Sequence, residues 1–174
     1  MTFAKAVALP LAPNDGLHEA VGSLVEALFY IMIVGSLQYL TLTRPDITHD
    51  VNLASQFMRN SNNGHLQGVK RILRYIKDTL HFGLRLISQS PYRLYGYLDA
   101  DWGGCITTKR STTCYSIYLG ANCISWTTKK QSTVARSSAE AEYRALVFIA
   151  SEMTWIINLL HDLGVFLRSV PTLL

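Results

Sequence analysis

Tyr95-Gly96-Tyr97-Leu98-Asp99-Ala100-Asp101-Trp102-Gly103-Gly104 is the stretch on which the fold turns. It reads as a strand ending in a glycine turn. In an extended chain residues i and i+2 share a face, so Asp99 and Asp101 point one way and Ala100 the other. Two like charges on one sheet face oppose folding unless something positive lies between them. A hard divalent cation such as Mg²⁺ fits that need, because it takes oxygen ligands from one or two carboxylates. The competing reading gives Asp101 only a turn role before Gly103-Gly104. Both stand on this stretch alone.

Downstream of it the extended pattern continues. Tyr92, Leu94, Gly96 and Leu98 alternate with Arg93, Tyr95, Tyr97 and Asp99, and the runs Thr113–Leu119 and Asn122–Thr127 are rich in β-branched and aromatic residues. Gly120-Ala121 between them suits a type II′ hairpin, so a three-stranded antiparallel meander is expected. Residues 127–132 read as a polar basic loop. Ser137-Ser138-Ala139-Glu140 then fits a capping box and starts a helix running to about Leu163, ahead of Gly164. At ~100° per residue its apolar stripe holds Ala145, Leu146, Ile149, Met153, Ile156, Ile157, Leu160 and Leu163. Glu142 falls at the centre of that stripe, with Glu140 and Arg144 opposite. A carboxylate aimed at the sheet that carries Asp99 is expected to share a cation with it. The alternative places Glu142 in an exposed first turn, where the helix dipole favours anions.

Upstream the pattern is helical. Apolar residues recur over about 23–42 and 47–59, separated by Thr43-Arg44-Pro45-Asp46, with Asp46 the expected N-cap. Asn60-Ser61-Asn62-Asn63-Gly64 reads as a loop, and an amphipathic helix follows over about 65–80. Lys70, Arg74 and Lys77 form a cationic ridge on it beside Arg71, able to track a phosphate backbone or to serve as a solvated face. Residues 1–22, with Pro10, Pro13 and Asn14-Asp15-Gly16, read as a linker.

The 174 residues are 49% hydrophobic and 16% charged, with net charge +4. That composition excludes a disordered chain and permits a polyanionic partner. Three cysteines without a C-x-x-C pair argue against a zinc site or disulfide framework and for a reducing, intracellular setting. The stretch Ala27 to Val34 is too short for a membrane span, so no membrane partner is expected.

Several motifs together resemble one family: Tyr97 to Gly104; Lys109-Arg110-Ser111-Thr112; Ile124-Ser125-Trp126; and Ser137-Ser138-Ala139-Glu140-Ala141-Glu142-Tyr143-Arg144-Ala145. They are similar to the ribonuclease H region of copia-type retrotransposon Pol polyproteins. Val34 to Leu40, Arg44 to Ile47 and Val69 to Tyr75 resemble the segment that joins the reverse-transcriptase palm to that ribonuclease.

The resemblance implies an α+β or α/β fold with a helical connection over 23–84. A ribonuclease H-like domain would follow over 92–174, comprising the meander, the long helix and the start of a fourth strand. It implies metal-dependent hydrolysis of the RNA strand of RNA–DNA hybrids, with Mg²⁺ or Mn²⁺ held by Asp99 and Glu142 and with Asp101 secondary. Lys109, Arg110, Lys129, Lys130 and Arg136 would hold phosphates, together with Lys70, Arg74 and Lys77. The family's third carboxylate lies in an Asp-Asn pair just beyond a segment like Ser169 to Leu174, and a fourth acidic site on a later helix is also missing here. The family has small residues where Leu98 and Cys114 stand. The expectation is therefore a truncated, catalytically incomplete chain that binds nucleic acid and whose partners are the rest of the polyprotein. An active nuclease and a non-catalytic scaffold are the alternatives.

Overall fold

The computed structural model describes residues 8–11, 17 and 20–174, and the chain forms two compact units, Met1–Leu84 and Arg85–Leu174. The architecture is mixed α+β, with four α-helices and one four-stranded sheet among the described residues. Most of the linker expected over 1–22 lies outside the described residues.

The first unit is helical. Helix α1 spans Ala27–Leu40, α2 Thr48–Ser55 and α3 Asn63–Asp78, with a 3₁₀ turn at Pro45–Ile47. Tyr30, Val34, Leu37, Ile47, Val51 and Ile72 lead their common core. The buried Tyr30 hydroxyl donates to the Ala54 carbonyl at 3.0 Å, and burial pushes the phenol up to about 12. Helix α3 starts earlier than expected, because Asn62 and His65 cap it reciprocally. The Asn62 side chain accepts from the His65 N–H at 3.0 Å, and His65 Nδ1 accepts from the Asn62 N–H at 3.1 Å. Asn63-Gly64 thus form its first turn rather than a loop. His65 Nε2 lies 2.9 Å from the Leu17 carbonyl, which assigns the ring proton to Nε2.

Asp46 is not the N-cap that its position suggested; Ile47 takes that place. Its carboxylate is instead held by the buried Arg44, at 2.7 Å from Nη2 and 2.9 Å from Nε, and by the Tyr75 hydroxyl at 3.0 Å. Arg44 also donates to the Thr79 carbonyl at 3.0 Å and to its hydroxyl at 2.8 Å, tying the 3₁₀ turn to the end of α3. A forked guanidinium suits such a multi-acceptor site better than a lysine would.

In the second unit β1 is Leu94–Asp101, β2 Thr112–Leu119, β3 Asn122–Lys130, α4 Ser138–Asp162 and β4 Thr172–Leu173. The sheet order is β3-β2-β1-β4, antiparallel through the meander, with β4 parallel to β1. Gly120 takes φ +59 at the β2–β3 hairpin while Ala121 keeps negative φ, which fits a II′ turn rather than I′. Strand β3 runs through Lys129 and Lys130, which the sequence pattern left in a loop.

Helix α4 begins at Ser137, whose side chain accepts from the Glu140 N–H at 3.1 Å. Glu140 reaches back to the Arg136 N–H at 2.7 Å, one residue beyond the partner a capping box would use, and pairs with Arg144 at 2.6 Å. The helix ends with Gly164 at φ +74. Its buried line is Ala141, Ala145, Ile149, Met153 and Ile156. This line packs on Leu94, Leu98 and Ala100 of β1 and on Tyr115 and Ile117 of β2. Gly96 lets the helix come close: a Cβ there would stand 2.8 Å from Ile149 Cδ1. Leu98 fills space between the two apolar clusters, so a residue larger than the family's usual one is accommodated as core. Among the described residues α4 is the one helix long and apolar enough to cross a membrane, a test that a core helix also passes. Its buried line is nevertheless taken up by the sheet.

Ile149 is fully buried at the centre of this contact. Ile149→Ala is expected to cost about 2–5 kcal/mol in denaturant unfolding. In the first unit the Arg44 hydrogen bond holds the Asp46 carboxyl below its ordinary range against the opposing effect of burial. A depressed folded value contributes stability above the unfolded pKa that is lost as pH falls through the folded one. Denaturation midpoints measured from pH 6 downward should therefore fall in the acid range, and Asp46→Asn should remove that part of the slope.

Candidate functional site

The site is set by which way each residue of β1 faces. Leu94, Gly96, Leu98 and Ala100 turn toward α4, so alternation puts Tyr95, Tyr97, Asp99 and Asp101 on the other face. Cross-strand register extends that face in rows. Asp101 sits opposite Thr112 and then Lys130; Asp99 opposite Cys114 and then Thr128; Tyr97 opposite Ser116 and then Trp126. Cys114 Sγ meets Thr128 Oγ1 at 3.6 Å, and Tyr95 stacks on Tyr118 with ring centroids 5.4 Å apart. Burial raises the Cys114 thiol, and the nearby Asp99 and Asp101 carboxylates raise it further.

Asp99 and Asp101 are both exposed. Asp101 curls over the turn: a Cβ on Gly104 would fall 1.5 Å from its Oδ2, so a side chain there would push the carboxylate aside. Glu142 is exposed and stands one residue off the buried line of α4. Its expected place at the centre of the stripe is therefore corrected. The true line is narrower and begins with two fully buried alanines, Ala141 and Ala145. Among the described residues no three His, Cys, Asp or Glu side chains converge to hold a metal ion.

Basic residues collect at the end of the sheet where β1 stops. The Trp102 indole N–H donates to the Ala135 carbonyl at 3.1 Å, which fixes an exposed ring beside Arg136. The loop from Gly103 to Ser111 is tied by Cys105 N–H to Arg110 O at 3.2 Å and by Lys109 N–H to Cys105 O at 2.7 Å. Lys109 adopts φ +53 and, with Arg110 and Arg136, is exposed. Lys130 joins this end through its Nζ, 2.7 Å from Cys105 Sγ. Lys129 does not: it pairs with the buried Thr113 on the α4 side, and its Nζ lies 5.2 Å from the Phe148 ring centroid. In the first unit Lys70 and Lys77 are exposed on α3 and Arg74 is half-buried.

Sequence reasoning missed Trp102 and the Cys105–Lys130 pair. The adjacency of Trp102 to Asp101 was a usable signal, whereas the pairing spans 25 residues and had none. Burial would raise the Cys105 thiol, but hydrogen bonds from Lys130 and Thr108 outweigh it and bring it to about 7. Thiolate absorbance should show one group titrating near pH 7, with Cys114 and Cys123 titrating above the ordinary thiol range because burial raises both. Lys130→Met should move the first midpoint upward; an unchanged midpoint would contradict the pairing.

No family model matches the chain, and no solved structure matches it. Curated relatives do. The chain is 47% identical over 174 residues to the retrovirus-related Pol polyprotein from transposon RE1 of Arabidopsis thaliana, covering 99% of this chain and 12% of that protein. It is 43% identical to the corresponding polyprotein from transposon RE2 of the same plant, with the same coverage of each. Identity to the polyprotein from transposon TNT 1-94 of Nicotiana tabacum is 38%, over 94% of this chain and 13% of that protein. The chain thus spans about an eighth of the length of these relatives. The same residues that form the meander and α4 run through all three matches, and the chain belongs to the copia-type retrotransposon Pol polyproteins.

Proposed function

We propose that this segment is a ribonuclease H-like module whose described residues grip an RNA–DNA hybrid by charge. The succession of three-stranded meander, long crossing helix and fourth strand is the order that the ribonuclease H resemblance implies. The observation that carries the reading is the end of β1. There Asp99 and Asp101 stand exposed on the uncovered sheet face, among Lys109, Arg110, Lys130 and Arg136 and beside the half-exposed Trp102. Cations contact phosphates and an exposed aromatic ring stacks on bases without regard to sequence. On α3, Lys70, Arg74 and Lys77 add a second basic strip in the other unit.

Mg²⁺ or Mn²⁺ would be the cofactor of hydrolysis in the polyprotein. The donor set does not suit it: two exposed carboxylates on one strand face and an exposed Glu142 on α4 do not make a converging cluster of three. Binding rather than cleavage is therefore the function assigned to these residues, in a reducing intracellular setting where the cysteines stay free thiols.

Anisotropy titrations with an RNA–DNA hybrid test this reading. Affinity should fall steeply with salt and depend little on sequence. Replacing Lys70, Arg74 and Lys77 together by Gln should flatten the log–log salt slope by roughly two to three. Salt-independent affinity, or none, would favour the scaffold alternative. RNA cleavage with Mg²⁺ or Mn²⁺ that disappears in Asp99→Asn would replace the binding assignment with an active nuclease.

A further inference from the structure

Lys129 and Lys130 are neighbours in the chain but serve opposite faces of the sheet. Lys130 lies in the row of Asp101 and bonds to Cys105, whereas Lys129 lies in the row of the buried Thr113 and turns toward α4. On that α4 side is a groove of about 520 Å³ that the hybrid-binding reading does not use. Small-ligand sites occupy about 300–1,000 Å³. The groove is lined by Lys129, Gln131, Ser132, Thr133, Arg144 and Phe148, with Thr113 and Lys130 contributing, and no lining residue is acidic.

Its parts are held in place before any ligand arrives. Gln131 Nε2 donates to Thr113 Oγ1 at 3.1 Å and to the Ala141 carbonyl at 3.0 Å, strapping the end of β3 to α4. Arg144 donates to the Thr133 carbonyl at 3.2 Å, to the Thr133 hydroxyl, which keeps its own O–H to give, and to Glu140 at 2.6 Å, so its charge is fixed and partly balanced. Lys129 keeps its ammonium over the Phe148 ring, which is 37% exposed and tilts against Tyr115. Fixed cations, two hydroxyl side chains and one partly open aromatic ring complement a ligand that is anionic at one end and flat at the other.

We propose that this groove seats a nucleotide, its phosphate against Lys129 with support from Arg144 and the Ser132 and Thr133 hydroxyls, and its base against Phe148. The site lies on the α4 side of the sheet and the Asp99 end on the other face, with Lys130 at the border of both. The nucleotide can be free or part of a strand, and the phosphate-plus-base chemistry is the same for both.

The test titrates the full chain with adenosine monophosphate, inorganic phosphate and a single-stranded oligothymidylate. Lys129→Gln should weaken the binding of whichever nucleotide probe binds by about tenfold or more, the loss of one charge-assisted hydrogen bond. Phe148→Leu should weaken nucleotide several-fold and leave inorganic phosphate unchanged. Mononucleotide binding that Lys129→Gln weakens assigns a free ligand; oligonucleotide binding that Lys129→Gln weakens, without mononucleotide binding, assigns a strand. If Lys129→Gln does not fold, lysine acetylation of the wild-type chain gives the same information, since bound nucleotide should protect Lys129. Equal binding by wild type and both folded variants, no binding of either nucleotide probe, or an acetylation pattern unchanged by nucleotide would overturn the proposal.

Discussion

The contact of Ala141, Ala145, Ile149, Met153 and Ile156 with one face of the meander governs the second unit. The two alanines and Gly96 let α4 lie close against β1, so apolar area is removed from water on both partners. The register that achieves this is a binary choice, since a slip of one residue would exchange every side chain between faces. With Leu98 half-buried and Ala100 buried under the helix, Asp99 and Asp101 are left on the open face. The placement of the carboxylates is thus a by-product of core packing.

That choice separates two chemical environments. The open face carries Asp99, Asp101, Cys114 and a tyrosine cluster, and its end is ringed by Lys109, Arg110, Lys130 and Arg136. The α4 side carries Lys129, Arg144 and Phe148 around a groove without acids. The chain belongs to the copia-type Pol polyproteins, and the two surfaces differ in charge as well as in position. The first unit stands on a different device, the buried Arg44 that joins Asp46, Tyr75 and Thr79. Removing one partner of such a pair leaves the other buried without its counter-charge, so losing Arg44 or Asp46 alone is costly.

Much of this was legible in the sequence because the signals were local. The alternation from Leu94 to Asp101, the Gly120-Ala121 turn, the Ser137 cap and the Gly164 stop each follow from backbone preferences of the residues themselves. Glu142 was misplaced because a wide apolar sector counted Leu146 and Leu163, which are 36% and 68% exposed, and so shifted the apparent centre. Small residues mark the true line, and hydrophobicity alone undervalues alanine. The polarity of Lys129 and Lys130 reads as loop and masks an extended backbone, and Asn63-Gly64 reads as loop because the reciprocal Asn62–His65 cap is not a common pattern. Asp46 has the composition of a cap, yet a guanidinium two residues earlier outcompetes the backbone for it.

The most direct measurement is carbodiimide coupling of an amine to the carboxylates, read by mass spectrometry with and without an RNA–DNA hybrid. Asp99 and Asp101 should couple readily in the free chain and become protected when hybrid is bound, while Glu142 couples in the free chain as well. An Asp99 that resists coupling in the free chain, as a carboxylate packed beneath α4 would, contradicts the division of the sheet into a covered and an open face. Carboxylates equally reactive with and without hybrid contradict the assignment of the open end as the nucleic-acid surface.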